Sequence, residues 1–238
     1  MLPQLRGTKE AQMETKIITI EGIDGSGKTV QFNLLKENLE RMGYSVGTMS
    51  FPDYGSFFGK QVGRYLSGEE GVFATDVDQK SMALWFALDR WEAFRNADEQ
   101  EHDFIIINRY VLSNAVYQSI RDRDIGRPDI IDWVFELEYE HFGLPRPALN
   151  LFFDVATERA GRNVDSKGFR DYVGEGRDVY ERSLGIQERA RNMYIRTAER
   201  YGDVEIIPCM DGSSMRTPAD IADDVIAAMR RRGLLENE

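Results

Sequence analysis

The chain predicts an α/β fold in which a parallel sheet is covered by helices on both faces, and three observations lead there. Short apolar runs recur along the chain (KIITIEG, FIII, LNLFF, VEII). Between them lie stretches with apolar residues at helical spacing. The order is strand then helix throughout, the pattern of βαβ units. With 238 residues, no internal repeat and no low-complexity linker, a single domain is expected.

Residues 1–15 carry no periodic apolar pattern and read as a flexible extension, so the domain should span 16–238. Lys16 to Gly22 is a β-branched strand ending in glycine. The segment after it places Val30, Leu34, Leu35 and Leu39 near helical spacing and stops at Gly43. Tyr44 to Met49 reads as a second strand, and Thr75 to Ala97 as a long amphipathic helix with Asp76 or Asp78 near its start. Phe104 to Ile107 is a continuous apolar run between Asp103 and Asn108. Leu149 to Phe153, introduced by GLPRP, and Val204 to Ile207 complete the strands, and a helix follows from Pro218 to Arg231. Asn163 to Gly176, rich in Gly, Asp, Lys and Arg, breaks the apolar rhythm and reads as a mobile loop.

Composition narrows the function. Hydrophobic residues make up 42% and charged residues 30%, enough for a packed core and too apolar for disorder. The sum of 30 Lys and Arg against 41 Asp and Glu gives −11, which argues against a broad basic surface for nucleic acid. A small phosphorylated ligand stays open, because distant exposed charges are screened and local arginines decide such a site. Cys209 is the single cysteine, and with two histidines it excludes an internal disulfide and disfavours zinc. The start has no apolar signal core and no run reaches membrane-spanning length, so a soluble, cytoplasmic protein is expected.

The strongest motif is Gly22-Ile23-Asp24-Gly25-Ser26-Gly27-Lys28-Thr29, which fits G-x-x-x-x-G-K-[ST] and lies between a predicted strand and a predicted helix. Its glycines let backbone N–H groups curl round phosphate oxygens, and the helix N-terminus adds its positive end. Lys28 can reach β and γ oxygens, and the Thr29 hydroxyl can ligate Mg²⁺. The eight residues together form the expected ATP site. Such a loop specifies a nucleoside triphosphate but not a reaction.

Four further segments carry a resemblance. Phe51-Pro-Asp-Tyr-Gly55, Phe86-Ala-Leu-Asp-Arg90, Asn108-Arg-Tyr-Val-Leu-Ser-Asn114-Ala-Val-Tyr117-Gln118 and Asp178-Val-Tyr-Glu181 follow the P-loop in order. Together with it the chain resembles the thymidylate kinase family from Lys16 to about Arg231. The resemblance implies a three-layer P-loop fold with five parallel strands in the order 2-3-1-4-5, a short lid near residues 159–177, and phosphorylation of dTMP by ATP with Mg²⁺. It also implies a homodimer, with the helix bearing Trp85 and Trp91 near the interface.

By that resemblance Phe86 stacks on the base and Arg90, one turn along the same helix face, bonds a base carbonyl. Asn114 faces the base, Tyr117 lies under the sugar, and Asp24 accepts from the 3′-hydroxyl. Arg109 grips the acceptor phosphate with its guanidinium fork, with Tyr54 beside it. Phe51, Pro52, Ser113, Tyr180 and Glu181 complete the dTMP site, and Thr29, Asp24 and Glu181 are the expected metal ligands. The P-loop holds no basic residue at Asp24, Gly25 or Ser26, whereas Arg159, Arg162, Arg170 and Arg177 cluster around the lid. This resembles the subclass that supplies catalytic arginines from the lid, with Arg162 and Arg170 the first choices beside Lys28, Arg109 and Asp24.

One residue departs from the pattern. The family carries Asp-Arg after the third strand, and this chain has Asn108-Arg109. An amide can accept a hydrogen bond but brings no charge. Two other readings therefore stay open: another P-loop nucleotide or deoxynucleoside kinase, and a nucleotide-binding paralogue without turnover.

Overall fold

The computed structural model describes residues 15–96, 102–167 and 184–236. Five strands form one parallel sheet: β1 (Lys16–Glu21), β2 (Val46–Ser50), β3 (Phe104–Asn108), β4 (Leu149–Asp154) and β5 (Val204–Pro208). Their spatial order is β2-β3-β1-β4-β5. Strand β1 lies at the centre, with Ile18 opposite Ile106 on one side and Leu149 on the other. Both its faces are covered, which is why its sequence runs apolar without alternation.

Helices fill the crossovers: α1 (Lys28–Arg41), α2 (Phe57–Ser67), α3 (Gln79–Asn96), α4 (Val111–Asp124), α5 (Ile131–Phe135), α6 (Thr157–Lys167), α7 (Leu184–Arg200) and α8 (Pro218–Arg231). Helix α1 packs on β1, β2, β3 and α8, while α3, α4 and α7 pack in series. A π-helical turn, Glu136–His141, continues α5. A two-strand hairpin, β6 (Met210–Asp211) with β7 (Ser214–Met215), follows β5. The strands being parallel, their C-terminal ends, Glu21, Ser50, Asn108, Asp154 and Pro208, share one edge, where α/β sheets build their sites.

The structure corrects several boundaries. Helix α3 begins at Gln79 because the Asp78 carboxylate accepts from the N–H groups of Lys80 (3.0 Å) and Ser81 (3.3 Å) and ends the turn before it. Asp76 serves the preceding loop instead, accepting from Phe73 N–H at 2.9 Å. Asn163 to Lys167, expected as loop, instead continue α6. Thr15, assigned to the extension, is tied to His102 O through its hydroxyl at 2.7 Å. Residues 1–14 and 168–183 lie outside the described residues.

Candidate active site

The loop after β1 carries the first half of the site. Gly25 (φ +79°) and Gly27 (φ +89°) hold left-handed backbone that side chains strain to adopt. Gly27 caps α1, so the free N–H groups of that helix open into the loop, with no acidic residue in the first turn to occupy them. Lys28 is buried and donates from Nζ to the carbonyls of Gly22 (2.9 Å) and Ile23 (2.7 Å), which keeps the loop curled. Thr29 is exposed on the first turn, and Ser26 Oγ is buried with no partner.

Two elements clamp this loop from outside. Helix α6 lies so close that a Cβ on Gly25 would come within 2.0 Å of Ala160 O. Asn163 Nδ2 donates to Gly25 O at 2.9 Å and reaches Met215 Sδ on β7 at 3.6 Å. Helix α6 and the hairpin thus meet over the loop. Of the expected lid arginines, Arg159 and Arg162 lie on α6, the first half-buried and the second exposed. Arg170 and Arg177 lie outside the described residues, as do Asp178, Tyr180 and Glu181.

The second half is a cavity of about 220 Å³ between α3, α4 and the ends of β2 and β3. Asp24, Phe51, Pro52, Tyr54, Phe86, Arg90, Arg109, Ser113, Asn114 and Tyr117 all line it, together with Ser50, Asn108, Tyr110 and Gln118. Of the expected acceptor residues, all but Tyr180 and Glu181, which lie outside the described residues, line this one chamber. Arg109 follows β3 with φ +61°, an unusual conformation for a side-chain-bearing residue that turns the chain into α4. Its Nη2 donates to Asp24 Oδ1 at 2.5 Å, and its guanidinium lies 5.5 Å from the Tyr117 ring centre. Burial works against its charge, but Asp24, Tyr117, Tyr194 and Glu21 outweigh this and hold Arg109 well above the ordinary arginine range.

Asp24 spends its other oxygen on Gln187 Nε2 (3.0 Å), and Gln187 Oε1 accepts from Asp24 N–H (3.0 Å) and from Tyr117 OH (3.2 Å). Gln187 comes from α7, one turn before Arg191, whose Nε donates to Asp154 Oδ1 at 2.5 Å and fixes that helix to the end of β4. Beneath Arg109, the fully buried Glu21 accepts from Tyr110 N–H (2.8 Å), Tyr194 OH (3.2 Å) and Ser113 Oγ. Burial pushes its carboxyl above the usual range, against the pull of these hydrogen bonds and of Arg109. At the far end Arg90, buried on α3, forms a two-pronged ion pair with Glu138 of the π-helical turn, at 2.6 Å from both Nε and Nη2.

A loop for a triphosphate beside a chamber with a fixed arginine is the geometry of a kinase for a small phosphorylated acceptor, and comparison with known proteins agrees. The sequence profile of the family described as thymidylate kinase matches residues 20–208. The chain belongs to the thymidylate kinase family. It is 35% identical over 210 residues to the thymidylate kinase of Mycobacterium tuberculosis, covering 87% of this chain and 97% of that one. It is 27% identical over 221 residues to a probable thymidylate kinase of Pyrococcus horikoshii, covering 92% and 97%. The fold is similar to that of Candida albicans thymidylate kinase, with a TM-score of 0.70, 22% identity, and coverage of 94% of this chain and 96% of that one.

Against the expectations drawn from the thymidylate kinase family, Phe86, Arg90, Asn114 and Tyr117 do share the cavity. Asp24, expected at both the sugar and the metal, has both carboxylate oxygens engaged by Arg109 and Gln187. Asn108 donates from Nδ2 to Ser50 Oγ at 3.0 Å, and its Oδ1 is buried without a partner. Sequence reading missed Glu21, Glu138, Gln187 and Ser50. Glu21 left a signal, an acid inside the apolar run KIITIEG, and Glu138 sits in the acid-rich ELEYE, where nothing marks it out.

Proposed function

We propose that this chain transfers the γ-phosphoryl group of ATP to dTMP, giving dTDP and ADP. The observation that carries this reading is the single chamber holding Arg109 at the end beside the P-loop residue Asp24, and Phe86, Arg90 and Asn114 at the other. One end suits a phosphate and the other a planar base. An acceptor-phosphate oxygen forms the new bond to phosphorus as the bond to the β-bridging oxygen breaks, and a phosphate dianion needs no base to do so. Arg109 grips that phosphate, exchanging part of its contact with Asp24, which then meets the sugar. Lys28 trades the Gly22 and Ile23 carbonyls for β and γ oxygens and follows the charge that moves onto them. Lid arginines on and beyond α6, Arg162 and Arg170 foremost, shield the transfer from water.

The residues present fit Mg²⁺ carried in on the triphosphate. Among the described residues no three of His, Cys, Asp and Glu gather as a metal cluster, and this ion binds mainly through nucleotide phosphates and water. Thr29 would hold it directly, with the unpartnered Asn108 Oδ1 receiving a metal-bound water and Glu181 as the expected acid. Held there, the ion would offset the negative charge of the nucleotide phosphates. A homodimer belongs to the same reading, supported by Phe57 of α2 and Leu84 of α3, which stand exposed on adjacent helices. A cytoplasmic location follows from the proposed substrates. No helix among the described residues is long and apolar enough to cross a membrane.

A coupled assay of ADP release with dTMP, dUMP, dCMP and dGMP tests the assignment. A methyl group in an apolar pocket is worth about 1–3 kcal/mol, so dTMP should exceed dUMP by roughly ten- to two-hundredfold in kcat/KM. Equal use of the four monophosphates would overturn it.

A further inference from the structure

Asn114 and Arg90 line the same end of the cavity, and the state of each is set by one buried carboxylate. Glu138 is 0% exposed. Its Oε2 takes Arg90 Nε at 2.6 Å, and its Oε1 takes both Arg90 Nη2 at 2.6 Å and Asn114 Nδ2 at 2.8 Å. The Ala83 carbonyl accepts from the same Asn114 nitrogen at 3.0 Å. Both neighbours of Nδ2 are acceptors, so the amide has one orientation and Oδ1 is left buried with no partner. Arg90 is fixed likewise, with Nη1 not engaged by Glu138. The carboxylate comes from a π-helical turn, a backbone form frequent at functional sites.

We propose that Glu138 is a positioning residue that sets base specificity: by fixing Asn114 as an acceptor and Arg90 as a donor, it makes the cavity select a base with an N–H next to a carbonyl. This deepens the acceptor-site reading above and rests on it. Thymine offers N3–H to the empty Asn114 Oδ1 and its 4-carbonyl to Arg90. Cytosine presents the reverse order, an acceptor at N3 and an amine at position 4. It would set lone pair against lone pair at Asn114 and N–H against N–H at Arg90. A site with buried groups already committed rejects such a partner strongly, because swapping the Asn114 amide would face its oxygen toward Ala83 O and Glu138.

The test is Glu138→Gln, read by calorimetric binding of dTMP, dCMP and a non-hydrolysable ATP analogue to the full chain. The amide has the carboxylate's shape but loses one acceptor, so Arg90 and Asn114 are no longer both held. The wild type should prefer dTMP over dCMP by about a hundredfold or more, and the variant should lose about tenfold or more of that ratio. Its affinity for the ATP analogue should not change, and Arg109→Ala should weaken both monophosphates while keeping their ratio. A second variant, Arg90→Met with Glu138→Leu, removes the ion pair as a unit, a change buried pairs often tolerate, and should lose the preference too. A variant that keeps the wild-type ratio overturns the role of Glu138 and leaves the dTMP assignment standing. A wild type that binds dCMP as tightly as dTMP overturns the assignment itself, and this inference with it.

Discussion

Asn108 has one hydrogen-bonding atom satisfied and one waiting. Its Nδ2 is spent on Ser50 Oγ, while Oδ1 is buried and unpartnered at the rim of the cavity, one residue before Arg109. A carboxylate there would add a charge, and at an effective dielectric of about 20 a unit charge about 4 Å away is worth about 4 kcal/mol before desolvation. Solvation and repulsion from Asp24 remove most of that. Asn108→Asp should therefore tighten apparent Mg²⁺ binding by only about 1 kcal/mol, seen as a lower half-saturating Mg²⁺ concentration with turnover level or modestly raised. Turnover that appears only in the Asp variant would mean that the natural chain binds nucleotides without transferring phosphate. Lys28 gives the sharper outcome. Lys28→Ala leaves the Gly22 and Ile23 carbonyls without their ammonium donor and the phosphates without a cation, so kcat should fall by orders of magnitude while circular dichroism stays native. Near wild-type turnover would place the donor elsewhere. Both residues were legible in sequence because each stands at a motif position, whereas Gln187 and Glu138 were not: their roles come from α7 and the π-helical turn being folded onto the site, which no local spacing encodes.

At the scale of elements, the alternation of strand and helix could be anticipated from the apolar runs, while the sheet order β2-β3-β1-β4-β5 came from the family resemblance alone. The extent of α6 could not. Charged residues at Asn163 to Lys167 read as loop, yet α6 continues through them because its inner side rests on the P-loop, with Ala160 and Asn163 against Gly25. Tertiary contact there outweighs local composition. The same contact makes Gly25 a point of close packing between the P-loop and α6. A Cβ at this position would meet Ala160 O at 2.0 Å and would sit on backbone at φ +79°, and backbone cannot yield as a side-chain tip can. Gly25→Ala should cost about 1–3 kcal/mol of stability by thermal melting and weaken ATP-analogue binding, with dTMP affinity less affected. A variant with wild-type melting and nucleotide binding would show that α6 stands off the loop in solution.

For the molecule as a whole, the site is built into the centre of the core. Strand β1, the middle of the sheet, ends in Glu21 at 0% exposure, and the stacked pair Phe152 and Tyr194 lies beside it, ring centres 4.7 Å apart. A carboxyl so placed holds Ser113, Tyr110 and Tyr194 in order beneath Arg109, and it does so at a cost to global stability that depends on pH. Burial raises its pKa in the folded chain above the ordinary 4.5. Below that ordinary value the carboxyl is protonated folded and unfolded alike, and it exacts no electrostatic cost. As pH climbs past it, the unfolded chain gives up the proton while the folded chain keeps it, so this group's contribution to stability falls until the raised folded pKa is passed, and stays lost above it. Glu21→Gln cannot ionise and has no such slope, but its amide can no longer accept at both oxygens, so one of the three donors loses its partner. The variant should be less stable than wild type by about 1–2 kcal/mol near pH 4. The gap should then narrow as pH rises to neutrality, read as the difference in Tm between the two proteins across the range. A gap that stays constant would show that Glu21 ionises at its ordinary pKa in the fold, with Arg109 and the three donors fully compensating its burial, and a gap that widens with pH would show that they hold its pKa below the ordinary value.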